Sequence, residues 1–161
     1  MKSLKMLVAM AVLCSAAAFA QTTADSSSAQ TDQDIALLRK DVSAAKMDVI
    51  THTMQFTEKE AAAFWPVYEK YAAAQKQIGD QKVALIKDYA QNYDTITDAN
   101  ATTMSEKAFA IEAESVQLRK TWFPKFVAVL GAKRAAKFMQ VDNRLSLLAN
   151  LQIASAVPII P

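Results

Sequence analysis

With 161 residues, 52% of them hydrophobic and 21% charged, the chain has the size of a single domain and enough apolar surface for an ordinary core. A formal net charge of +2 gives no general affinity for nucleic acid, and two glycines leave no Gly-rich phosphate loop. One cysteine and one histidine exclude a disulfide framework and leave nucleophilic or metal chemistry without a residue set.

Lys2 and Lys5 precede an apolar run from Met6 to Leu13, and Ala18-Phe19-Ala20 then precedes Gln21. This pattern predicts a secretory signal peptide over residues 1–20, cleaved after Ala20, and hence an exported protein. The run is too short to span a bilayer, which needs about 20 apolar residues, so the processed chain is expected not to cross a membrane. A lipid anchor at Cys14 would need a small residue before it, where Leu13 stands. Removing residues 1–20 leaves sixteen basic and sixteen acidic side chains and no cysteine, so stability must come from buried apolar faces. Residues 21–31, "QTTADSSSAQT", carry no apolar period and read as a disordered polar leader.

The helical domain is expected over residues 32–155. Thr31 to Asp34 can cap a first helix, in which Ile35, Leu38, Val42, Ala45 and Val49 recur at spacings of three and four, with its end near His52 to Met54. Phe56, Thr57 and Glu60 then have the order of a capping box: an apolar residue, a hydroxyl cap, and a carboxylate three residues on. A second helix therefore starts at Thr57 and runs to about Tyr93. Phe64, Tyr68, Tyr71, Ile78, Leu85 and Tyr89 form its apolar seam, and Gln75 and Lys82 are the polar members. Pro66 lies too deep for a first-turn proline and deletes the bond to the carbonyl of Ala62. It either bends this helix or only tunes its packing.

Ile96, Thr97 and Asn100 repeat the same grammar forty residues later. The third helix carries one seam of Met104, Ala108, Ile111, Ser115, Leu118 and Trp122, and a second of Phe109, Val116, Phe123 and Leu130 at every seventh position. A helix this apolar is expected to touch two neighbours, in a bundle or across a subunit boundary. Pro124 supplies a second bend, and Gly131 breaks the run. A fourth helix bears Ala135, Phe138, Val141, Leu145, Leu148 and Leu151 to about Ile153, and an apolar C-terminal tail over residues 156–161 is expected to lie extended against a groove.

No catalytic constellation appears, and the chain is read as a non-enzyme without cofactor or metal. Glu58 and Glu60 serve a cap, Glu112 and Glu114 a solvated face, and His52 a helix end. Charge is more informative. Residues 21–118 hold nine basic and fifteen acidic side chains and residues 119–161 seven basic and one acidic, a balance of −6 against +6. Arg119, Lys120, Lys125, Lys133, Arg134 and Lys137 interleave with Trp122, Phe123 and Phe126, and these nine residues are the candidate client-binding surface. The alternative is that the charges solvate helices or pair with acidic neighbours.

The pair Phe56-Thr57-x-x-Glu60 and Ile96-Thr97-x-x-Asn100 resembles the paired "LTxxQ" motif of the Spy/CpxP family of periplasmic proteins, with Phe or Ile for the leucine and Glu or Asn for the glutamine. "FWPVYEKY" and "LIKDYAQNYDTITD" are similar to secreted bacterial proteins of the same superfamily. The resemblance covers roughly residues 32–155. It implies an all-α fold of four long, partly bent helices in an elongated hairpin-like or cradle arrangement, a homodimer with an amphiphilic concave face. It also implies an ATP-independent chaperone for unfolded or stress-exposed envelope proteins, or an adaptor that restrains one envelope-stress sensor. The zinc-binding branch of the family finds no ligand set here, because His52 stands alone. The rival reading outside the resemblance is a structural helical oligomer with no client.

Overall fold

The computed structural model describes residues 43–161. The signal peptide, the polar leader and the start of the first helix, with Ile35, Leu38 and Val42, lie outside the described residues. Every described element is helical: α1 over 43–54, α2 Glu58–Asn92, one 3₁₀ turn Tyr93–Thr95, α3 Asp98–Leu130 and α4 Ala132–Ala156. Residues 49–161 form one compact unit.

The helix starts follow from local chemistry. Thr57 Oγ1 accepts from the Glu60 amide at 3.3 Å while Glu60 Oε2 accepts from the Thr57 amide at 2.9 Å, so two otherwise orphaned first-turn amides are satisfied reciprocally. At α3 only half of this motif forms: Thr97 Oγ1 accepts from the Asn100 amide at 3.2 Å. α1 stops where Gln55 turns to φ 46°, a left-handed conformation that halts the helix and aims Phe56 at Phe64, 4.5 Å away between ring centroids. A single residue joins α3 to α4. Gly131, at φ 76° and ψ 158°, donates to Val127 at the end of one helix and accepts from Ala135 at the start of the next. That backbone region is open only to glycine.

Pro66 and Pro124 both sit inside helices and both are exposed, as are Ala62 and Lys120, whose carbonyls lose a partner. Water can take those bonds, so each proline is tolerated on the solvent face of its helix.

Cross-helix contacts fix the packing. Gln81 meets Glu114 and Asp88 meets Lys107, so α2 and α3 run antiparallel. Arg119 donates to Asn143, and Phe126 packs on Phe138, so α3 and α4 also run antiparallel. Tyr71 meets Asp142, Lys82 meets Asn150 and Tyr89 meets Pro158, so α4 runs parallel to α2.

The core is concentrated at one end. Ile50 and Met54 of α1, Phe64, Tyr68 and Tyr71 of α2, Phe126 of α3, and Ala135 and Phe138 of α4 are buried together. Phe64, Phe126 and Phe138, one from each long helix, form a triangle with centroid separations of 5.5, 5.0 and 4.5 Å. Burying a side chain of this size contributes about 1.5–3 kcal/mol, and each aromatic pair adds about 0.5–1.5 kcal/mol. Farther along, Ile78, Leu85 and Tyr89 are only half-buried, and the expected α4 seam becomes exposed at Leu148 and Leu151.

The α2 seam also contains the main polar network. Asp142 is fully buried and accepts from the Tyr71 hydroxyl at 2.7 Å and from Gln75 Nε2 at 3.1 Å. Gln75 and Lys82, the two polar members of the seam, are thus tethers from α2 to α4.

Candidate functional site

The nine residues of the basic and aromatic stretch do not share one surface. Phe126 is fully buried in the aromatic triangle, and Trp122 is half-buried against Tyr71 at 5.8 Å between ring centroids. Neither is an exposed anchor. Both lie on the inward face of α3, since Ile111, Leu118, Trp122 and Phe126 follow the spacing of the core seam.

Arg134 and Lys137 turn toward α1, Arg134 half-buried and Lys137 still exposed. Arg134 Nη2 donates to the Met54 carbonyl at 2.9 Å and its Nε lies 2.7 Å from Glu60 Oε1, while Lys137 Nζ donates to the Thr53 carbonyl at 2.6 Å. Two cations of α4 therefore close the C-terminal carbonyls of α1, where the helix dipole favours positive charge. Glu60, held by the Thr57 amide first and also by the Thr57 hydroxyl and Arg134, keeps its carboxyl below its ordinary value of 4.5 against a partial desolvation. The Glu60 carboxylate thus joins the start of α2 to Arg134 in the first turn of α4, and Arg134 in turn reaches the end of α1. Arg119, half-buried, donates to Asn143 and ties α3 to α4.

Lys120, Lys125, Lys133 and Phe123 remain on the surface. Lys125 Nζ sits 3.8 Å from the Trp122 ring centroid, a cation–π contact that covers the outer face of the indole. Phe123 continues a stripe with Phe109 and Val116, which are 37%, 68% and 44% exposed. The second seam of α3, with its seven-residue spacing, thus faces solvent at three of its four members, and Leu130 is half-buried. A second exposed apolar group lies on α4, where Leu147, Leu148 and Leu151 are each more than half exposed. Sequence periodicity marked both stripes of α3 as apolar, and only packing decided which one turned outward.

Beside α2 and α3 runs an open groove floored by Ala84, Leu85, Ala110 and Ile111. Gln81, Asp88 and Lys107 also line it, with Asp88 and Lys107 paired at 3.6 Å and Gln81 bonded to Glu114 at 2.9 Å. Its chemistry is that of a shallow apolar channel between solvated charges. Among the described residues no group of three His, Cys, Asp or Glu side chains could hold a metal ion, and His52 is exposed at the end of α1. Among the described residues no helix is long and apolar enough to cross a membrane.

Comparison of the chain with protein-family models, with curated proteins and with solved structures found no match.

The motif residues Phe56, Thr57, Glu60, Ile96, Thr97 and Asn100 sit at two helix starts. They order backbone and present no reactive group. Sequence reasoning placed Tyr89 in the α2 seam but did not mark Asp142 or Tyr93 as contact residues. The signal for Asp142 was available: it is the single acidic residue among the last forty-three, set between the apolar Val141 and Leu145.

Proposed function

We propose that this protein is a periplasmic, ATP-independent binder of unfolded or stress-exposed envelope proteins, working as a homodimer in a cradle arrangement. The observation that carries this reading is the outward apolar stripe of α3, Phe109, Val116 and Phe123, flanked by the exposed cations Lys120 and Lys125. Scattered apolar side chains are ordinary on protein surfaces, but a heptad-spaced row on one helix face marks a contact surface. Apolar contact supplies affinity for exposed client segments, and the cations raise the encounter rate with acidic chains. The resemblance in the paired cap motifs points the same way.

The heptad spacing also favours a second reading, a structural oligomer in which α3 stripes close on each other and leave no client face. One experiment separates them. Aggregation of two unrelated clients is followed without nucleotide, across a salt series, for the wild type and a Lys120→Gln/Lys125→Gln/Lys133→Gln variant. Arg134 and Lys137 are left intact because they close α1. The binder reading expects suppression of both clients, a slower association in the variant, and a wild-type rate that falls as salt shortens the field to about 8 Å. Suppression of neither client supports the oligomer. Recognition of a single envelope protein supports the adaptor.

A further inference from the structure

Beyond α4 the chain leaves the helix at Val157, with φ −92° and ψ 119°, and lies along the end of α2. Two tyrosines hold it there. Tyr89 Oη donates to the Pro158 carbonyl at 2.9 Å and Tyr93 Oη donates to the Ile159 carbonyl at 3.1 Å. Their rings are themselves paired edge to face at 5.6 Å, which fixes the spacing of the two hydroxyls. The bonds fall on consecutive main-chain carbonyls. The side chain between them contributes little, since Ile159 is 89% exposed, and Ile160 is 47% exposed.

Such a contact reads backbone and ignores side-chain identity. Neighbouring carbonyls point to opposite edges of a β-strand, but in a polyproline II segment, with three residues per turn, they are less opposed, so two phenolic donors on consecutive carbonyls suit that conformation. Prolines suit the occupant because they preset an extended backbone and lack an amide that would need a partner.

We infer that Tyr89 and Tyr93 form a reading site for the backbone of an extended, proline-containing peptide, and that the chain's own Pro158–Pro161 segment occupies it as a displaceable strap. The inference rests on the client-binding reading and names the ligand class for that function: an extended, proline-containing segment of an unfolded protein. The strap is a tethered competitor. Its effective concentration keeps the site closed to weak ligands, and a client with several extended segments displaces it. The hydroxyls are the specific element, because the apolar rings alone would accept many shapes.

The test uses full-length protein and a fluorescein-labelled hexapeptide, Ala-Val-Pro-Ile-Ile-Pro, read by anisotropy. Replacing Pro158, Ile159, Ile160 and Pro161 with Gly keeps the carbonyls but raises the cost of ordering the strap. This variant is expected to bind the peptide about tenfold more tightly than the wild type, the scale of one to two net hydrogen bonds. Adding Tyr89→Phe/Tyr93→Phe, which keeps both rings, should return affinity to the wild-type level or below, with helicity by circular dichroism unchanged. A second peptide, Ala-Leu-Pro-Val-Leu-Pro, should bind within about threefold of the first, as expected when backbone carbonyls supply the contact. Equal peptide affinity in wild type and glycine variant, or full affinity without the hydroxyls, overturns the strap. The aggregation assay on the wild type reports separately on the client-binding reading, so either can fail while the other stands.

Discussion

Replacing Tyr71 with Phe tests the polar link that holds α4 to α2. Tyr71 and Asp142 are both fully buried, and the hydroxyl donates to Oδ2 at 2.7 Å. Phe keeps the edge-to-face contact with Phe126 at 5.4 Å and removes only the donor. Hydrogen bonds to charged groups contribute about 1.5–3 kcal/mol, so a loss of about 2 kcal/mol is expected. For a cooperative unit of this size that corresponds to a fall in Tm of roughly 8 °C. Asp142→Leu should cost more, about 3 kcal/mol, because it removes a buried acceptor from both the Tyr71 hydroxyl and Gln75 Nε2. The double variant should lose less than the sum, with a coupling energy of about 1–2 kcal/mol. Thermal and urea unfolding of the four proteins close the cycle. Strict additivity, or a Tm for Tyr71→Phe within 2 °C of wild type, would refute the claim that this bond carries the α2–α4 contact.

Thr57→Ala and Thr97→Ala should each cost about 1 kcal/mol by thermal unfolding, with Thr57 the larger because its hydroxyl also donates to Glu60 Oε2 at 3.1 Å. The two left-handed positions should respond with opposite signs in urea titrations: Gln55→Gly relieves φ 46° and stabilises by about 0.5–1 kcal/mol, whereas Gly131→Ala strains a glycine-only conformation and destabilises by about 1–3 kcal/mol. Tyr68 is pushed up to about 12 and Tyr71 is also raised, by burial first and then by the charge of Asp142. Folded protein then holds protons that the unfolded chain releases near pH 10, so this stability is complete below pH 10 and is lost as pH rises, through about 12 for Tyr68. Glu60 acts in the opposite sense: its contribution is present above pH 4.5 and lost as pH falls below it, and Glu60→Gln should flatten that acid limb of the stability curve.

Helix starts and stops were legible because they are local. A capping threonine needs only the amides of its own first turn, and Gly131 needs only its own φ and ψ, so residues within four positions decide the outcome. The same holds for the helical class itself: α1 ends at residue 54, inside the range the periodicity sets, and α2 stops one residue before Tyr93. α4 runs three residues past Ile153, because Ser155 and Ala156 continue a helix that Pro158 then ends.

The candidate surface was less legible. Interleaved charges and aromatics from Arg119 to Lys137 look uniform along the chain, yet Phe126 is core, Arg134 and Lys137 close another helix, and Lys120 faces solvent. Those fates depend on where α4 begins in space, which follows from the reversal at Gly131 and brings its first turns to Thr53 and Met54, about eighty residues earlier. The two apolar seams of α3 posed a similar ambiguity, since either could have met α2.

The all-helical class of the described residues, the caps and the breaks follow from residue order alone, because backbone hydrogen bonding within a turn is decided by neighbours in the chain. Helix packing set which seam of α3 is buried, made Asp142 a buried acceptor, and brought Tyr89 and Tyr93 to the Pro158 and Ile159 carbonyls. The last two are meetings between groups sixty-six or more residues apart, and all three were selected by the packing of whole helix faces around the aromatic triangle rather than by any local preference.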